Sequence, residues 1–186
     1  MAASMTPERV RELLTELAAR IAATSDGATT IRVVGGAAIS LLDPARRATS
    51  DVDAVVSGPG DVDVVVAAMA AKHDLPADWF NSAVAMWIPF VGPEDWVEVL
   101  RNDNVVVQIG STAMLLAMKL RASRARDNDD IGFLLAACGV RTVADAQEIY
   151  ERYHHQEVMS AVAQARVKHW LESVAGQRAP LENPET

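Results

Sequence analysis

The chain changes character at Ser111. Before it, short β-branched runs alternate with glycine, proline and asparagine turns; after it, the pattern reads as helix throughout. The spacing predicts helices over Ser111–Arg124, Asn128–Ala137, Val143–Tyr153 and Glu157–Ala175, and the alanine content suits them. The first half opens on Thr6-Pro7-Glu8, a helix start with Thr6 as N-cap and Pro7 in the first turn. Val10, Leu13, Leu14, Leu17 and Ile21 then recur at helical spacing. Thr30–Val34 reads as a strand, Ala37–Leu42 as a short helix, Asp51–Val56 as a second strand and Asp61–Lys72 as a helix. Three further strands are predicted over Ala83–Pro89, Trp96–Arg101 and Val105–Ile109, with Asn102-Asp103-Asn104 as a hairpin turn. The expected class is α+β: a small mixed sheet flanked by helices, with a helical C-terminal half.

A length of 186 residues fits one domain, expected over 1–175, with a core at about 28–110 and a helical part at about 111–175. The polar segment 176–186 is expected to be a mobile tail. An apolar share of 50% with 23% charged residues excludes a wholly disordered chain. Cys138 is the single cysteine, so no internal disulfide framework exists. The first residues lack the basic and apolar regions of a secretory leader, and no apolar run approaches the ~18 residues of a membrane span. The expectation is a cytoplasmic protein with no membrane partner. The net charge of −8 disfavours a general nucleic-acid binder, although a local basic patch remains compatible with it.

Two elements carry chemistry. The strand Thr30–Val34 ends directly in Gly35-Gly36, which opens a helix. Glycines there admit a ligand close to the backbone, and a helix N-terminus favours an anion; the same pair also serves a plain strand-to-helix turn. In Arg47-Ala-Thr49-Ser-Asp51-Val-Asp53, strand periodicity sets Asp51 and Asp53 on one face. Adjacent carboxylates repel and favour a cation between them, and a hard divalent ion takes one or two carboxylates together with substrate phosphates. Two solvated aspartates at the start of a strand are the other reading. Asp51 and Asp53 are expected to share a face at the edge of a cleft whose opposite wall holds Gly35 and Gly36.

A Gly-Gly turn after one strand and Asp-x-Asp opening the next resembles the DNA polymerase β-like nucleotidyltransferase superfamily. The resemblance implies Mg²⁺ or Mn²⁺ held by Asp51 and Asp53, and an NTP whose phosphates meet Gly35, Gly36, Arg47 and Thr49. The implied reaction is metal-assisted in-line displacement at the α-phosphorus. Leu115-Leu-Ala-Met-Lys119-Leu, followed by Arg126-Asp127 and Asp130-Ile131, resembles a segment of the bacterial AbiEii-type nucleotidyltransferases and their uncharacterised relatives. That likeness implies that Lys119 contacts nucleotide phosphate and that Asp130 assists catalysis or positions the lysine. Trp79-Phe-Asn81 also resembles a recurring Trp-x-Asn of those relatives, without a role. Implied acceptors are tRNA, a protein or a small molecule; implied settings are toxin–antitoxin or phage-defence systems, with a cognate antitoxin as partner. A degenerate fold that only binds a nucleotide or a protein is the alternative.

Several readings stay paired at this level. Asp127 and Asp130 also fit an N-cap and its N3 carboxylate. Lys119, Arg121, Arg124 and Arg126 form either a solvated helix face or the place where phosphate is attracted. The resemblance calls for a third metal carboxylate. Glu98, in Trp96-Val-Glu-Val-Leu100, is the candidate, and an exposed residue alternating with core valines fits as well. Lys119 is expected to face the cleft of Asp51, so that Lys119→Ala removes transfer with little loss of stability.

Overall fold

The structure is a computed structural model and describes residues 4–178. The chain divides within one helix, between Leu115 and Leu116, into two compact units.

In the first unit, Thr6 caps α1 (Pro7–Thr24) by accepting from the Arg9 amide at 3.3 Å, and Val10, Leu13, Leu14, Leu17 and Ile21 form its buried stripe. β1 (Thr29–Val34) runs straight into α2 (Gly35–Leu42); β2 (Val52–Ser57), α3 (Val62–His73) and β3 (Phe80–Asn81) follow, then β4 (Trp96–Asn102) and β5 (Val105–Gly110). The strands form one mixed sheet in the order β3-β2-β1-β5-β4. β1 is antiparallel to β2 and parallel to β5; β2 is parallel to β3, and β4 antiparallel to β5. This is the α+β class expected from the pattern.

The two faces of the sheet differ. Ile31, Val33, Val52, Ala54, Val105, Val107 and Ile109 point to one face and are fully buried. α1 packs on that side, where its Leu14 and the Val107 side chain line the same small gap. The alternate residues Arg32, Asp53, Val55 and Gln108 are half-buried on the other face. Period-two alternation separates an apolar core face from a half-buried, more polar face.

One predicted strand does not form. Ala83–Pro89 is irregular, with a 3₁₀ turn over Ala85–Trp87. The Asn81 side-chain oxygen accepts from the Ala83 amide at 3.1 Å and the Val84 carbonyl from the Trp87 amide at 2.8 Å, bonds that turn the backbone. Pro89 has no N–H to give a ladder. Met86, Trp87 and Phe90 are exposed, so the apolar composition of this stretch is not a core signal.

The second unit is helical. The helix that carries the division is α4 (Thr112–Ala122); α5 (Asn128–Ala137), α6 (Val143–Tyr153) and α7 (Ala161–Arg178) follow. α6 starts at a capping box in which Thr142 and Asp145 satisfy each other's backbone amides. The last helix begins four residues later than its spacing suggests. Gln156 has φ +65°, and the Glu157 carboxylate binds Arg121 and Tyr150 instead of starting a turn. Ser160 supplies the start, accepting from the Ala163 amide at 3.2 Å. Gly176–Arg178, expected in a tail, belong to α7; the rest of that expected tail lies outside the described residues. Among the described residues no helix is long and apolar enough to cross a membrane.

Candidate active site

The site in the first unit is built by strand pairing. Val34, the last residue of β1, lies opposite Asp53 of β2. The chain then turns at Gly35, where φ is +65° and a Cβ would stand 2.9 Å from Asp53 Oδ2. Only glycine takes that conformation at that distance without displacing the carboxylate. At Gly36 a Cβ would stand 2.8 Å from Thr49 Oγ1 and 3.1 Å from an Arg46 terminal nitrogen. The glycine turn therefore lies close against Asp53, Thr49 and Arg46. On β2 the half-buried Asp53 alternates with buried Val52 and Ala54, so its carboxylate lies on the glycine side of the sheet, and half-buried Asp51 immediately precedes the strand. Ser50 Oγ donates to Asp51 Oδ1 at 3.3 Å.

The segment before β2 is pinned. Met5 and Thr49 exchange both backbone hydrogen bonds, at 2.7 and 2.9 Å. The Thr49 side chain is turned inward, 8% exposed, and its hydroxyl donates to the Asp51 carbonyl at 3.3 Å. The hydroxyl expected at a phosphate thus gives its proton to the start of the acidic strand while standing beside Gly36. Arg47 is exposed. Its neighbour Arg46, which the sequence did not single out, is the arginine beside Gly36. Arg46 Nη1 donates to Ser40 Oγ at 3.3 Å and to the Arg47 carbonyl at 2.9 Å, tying α2 to the loop before β2.

Glu98 is not brought to the pair. It lies on β4, opposite Gln108 of β5, while Asp53 is on β2. Both sit on the same face, but three strand spacings of ~4.8 Å, about 14 Å in all, separate their strands. A shared ion needs ligands within ~2 Å of it. Glu98 is held instead by Arg101 at 2.9 and 2.5 Å, and that contact keeps its carboxyl below the usual range. The residue beside Asp53 in register is Asn81 of β3. Among the described residues no three His, Cys, Asp or Glu side chains gather as a metal-holding group. Asp51, just before β2, and Asp53, on it, are two carboxylates, the number with which Mg²⁺ is ordinarily held when phosphates complete its shell.

In the second unit Lys119 Nζ lies 2.8 Å from Asp127 Oδ1 and 2.8 Å from Asp130 Oδ2. All three side chains are at most 14% exposed. Asp127 occupies the N-cap position of α5 but makes no cap bond; its carboxylate serves Lys119. The purely capping reading of Asp127 and Asp130 thus gives way to a buried ion cluster. So does the expectation that Lys119 is cheaply removed, because its loss leaves two buried carboxylates facing each other. Arg121 pairs with Glu157 at 3.1 Å and donates to His154 Nδ1 at 3.3 Å, whereas Arg124 and Arg126 are exposed. Two of the four clustered cations are therefore compensated within their own unit.

Over residues 8–171 the chain matches the family described as nucleotidyltransferase of unknown function (DUF6036), and it belongs to that family. Comparison with curated proteins finds no match.

Proposed function

We propose that the chain transfers a nucleoside monophosphate from an NTP to an acceptor, with Mg²⁺ or Mn²⁺, on the sheet face that carries Asp51 and Asp53. The supporting observation is the contact between the φ +65° glycine and the Asp53 carboxylate, which couples a phosphate-admitting turn to a metal-holding strand. Asp51 and Asp53 hold the metal, which when bound neutralises phosphate charge and aligns the displacement. Backbone amides at Gly35 and Gly36 receive the triphosphate, since Val34 offers α2 no side-chain cap. Arg46 and Arg47 add positive charge near that turn. The acceptor oxygen bonds to the α-phosphorus as the bond to pyrophosphate breaks, and the hydroxyl proton passes to water. Within the second unit, Asp127 and Asp130 hold the Lys119 ammonium.

The acceptor is an RNA, a protein or a small hydroxylated molecule; the charge of −8 favours the latter two over tRNA. The AbiEii-type resemblance of residues 115–131 supports a toxin–antitoxin or phage-defence role with a cognate antitoxin. Asn81, in the register position beside Asp53, favours a second reading: a fold that binds nucleotide or protein without turnover. Incubation with each α-labelled NTP, Mg²⁺ or Mn²⁺, and total tRNA or cell extract tests the proposal. A labelled product absent with Asp51→Asn/Asp53→Asn supports transfer. Nucleotide binding without any product supports the second reading.

A further inference from the structure

The half-buried Arg32 lies on the same sheet face as the acidic pair. It precedes Val34 by two residues on β1, and Val34 and Arg32 lie opposite Asp53 and Val55. Directly opposed residues and residues two apart share a face, so Arg32 stands diagonally one step from Asp53, at about 7–8 Å. Its guanidinium is fixed on two sides. Nε donates to Gln108 Oε1 at 3.2 Å, and the plane lies over the Trp96 ring, 5.0 Å from its centroid. Among the described residues neither terminal nitrogen makes a hydrogen bond and the group forms no ion pair. Glu98, the acid next along the row, is taken by Arg101. A guanidinium clamped at Nε and on one face, with its two-nitrogen edge open, is a preformed fork for a tetrahedral or planar oxyanion.

We propose that Arg32 binds a phosphate group carried by the acceptor. The inference rests on the nucleotidyl-transfer reading, because that reading sets direction along the face. Displacement at phosphorus is in line, so a pyrophosphate that leaves toward the glycines at the end of β1 requires the acceptor on the far side of the α-phosphorus. From Asp53 the face runs away from the glycines to Val55 and Arg32. A phosphate-bearing acceptor seated there engages the open fork and brings its hydroxyl to the α-phosphorus. Arg32 thereby sets acceptor specificity and leaves NTP binding to the glycine turn.

The test uses the whole chain loaded with Mg²⁺ and an α,β-methylene NTP. Glycerol 3-phosphate, glycerol and a short RNA with a free 3′ hydroxyl are titrated while the Arg32 Nε–H resonance is followed. Expected are saturable shifts with a phosphate-bearing probe and none with glycerol. The small ester alone marks a small phosphorylated acceptor; the RNA marks a nucleic-acid end. Arg32→Gln weakens binding of the responding probe about tenfold or more and leaves nucleotide affinity within about twofold, and Arg32→Lys recovers part of it. A purely structural Arg32 lowers the melting temperature of both variants without this selectivity. No shift with either phosphate probe, an equal shift with glycerol, or unchanged affinity in Arg32→Gln overturns the proposal. If Arg32→Gln does not fold, the wild-type resonance and Arg32→Lys decide it. Asp51→Asn/Asp53→Asn separates the two readings: unimpaired Mg²⁺–nucleotide binding in that variant defeats the transfer reading, whereas its loss with a silent Arg32 defeats only this one.

Discussion

In the first unit two like charges, Asp51 and Asp53, are set side by side by a strand; in the second, Lys119, Asp127 and Asp130 are unlike charges closed on one another at 2.8 Å. The strand imposes its arrangement through the backbone. Val34 pairs with Asp53, Asn81 pairs with it from the other side, and the ladder holds whether or not the carboxylates repel. The helical cluster is the reverse: side-chain attraction is what satisfies three buried groups. A site that imposes repulsion gains from an added cation, and a site that has cancelled its charge gains little. The proposed function puts metal and nucleotide at the strand pair, while Asp127 and Asp130 close on the Lys119 ammonium.

The comparison breaks most sharply at Asp53. Asp53→Asn is expected to lower the proposed transfer about 1000-fold, some 4 kcal/mol of barrier, with the protein still folded. Labelled-NTP turnover beside a thermal melt reads both. Lys119→Ala is expected to behave oppositely and destabilise its unit by about 3 kcal/mol in urea titration, since two buried carboxylates lose their cation. The neutral triple variant Lys119→Met/Asp127→Asn/Asp130→Asn should recover much of that loss. A cost below about 1 kcal/mol for Lys119→Ala would place the cluster among solvated ion pairs.

Gly35→Ala joins backbone to site. The positive φ and the 2.9 Å approach to Asp53 Oδ2 together predict a loss of about 2 kcal/mol, and metal affinity should fall with it because the carboxylate is pushed. Unaltered stability in a denaturant melt would mean that the turn relaxes freely. The smallest expected effect concerns Glu16 on α1. Hydrogen bonds from Lys72 and His73 foremost, with Arg20 assisting against the effect of burial, hold its carboxyl at about 2 rather than 4.5. A lowered carboxyl stabilises the fold above its unfolded value and loses that contribution as pH falls from 4.5 toward 2. Glu16→Gln should therefore cost about 1 kcal/mol at neutral pH and flatten that acid limb, because the network is partly solvated. An acid limb of undiminished slope would assign it to other carboxylates.

Much of this was legible in the sequence because local rules sufficed. The β-branched run before Gly35, the alternation Asp51-Val52-Asp53-Ala54 and the periodic stripe of α1 each report their own element. Sheet order is a different kind of information. Glu98 has the right alternation and faces the right side, yet the order β3-β2-β1-β5-β4 sets it three strands from Asp53. The same order brings up Asn81, whose position in Trp79-Phe-Asn81 showed nothing of its neighbour. Ala83–Pro89 misled because apolar residues without strict alternation do not report a strand, and the Asn81 side chain had already turned the chain. Arg46 and Arg47 are adjacent, and only the path of the loop decides which meets Gly36. Asp127 was visible as a cap, since helix-terminal aspartates usually are caps; only tertiary structure shows its carboxylate given to Lys119.

The central claim is that the strand pair, and not the helical cluster, holds the metal–nucleotide complex. Calorimetric titration of Mn²⁺ with and without NTP, on the wild-type chain and on Asp51→Asn/Asp53→Asn, tests it most directly. The account predicts weak Mn²⁺ binding alone, tighter binding with NTP because phosphate oxygens complete the shell, and loss of both in the variant. Equal metal–nucleotide binding by the two proteins would contradict it.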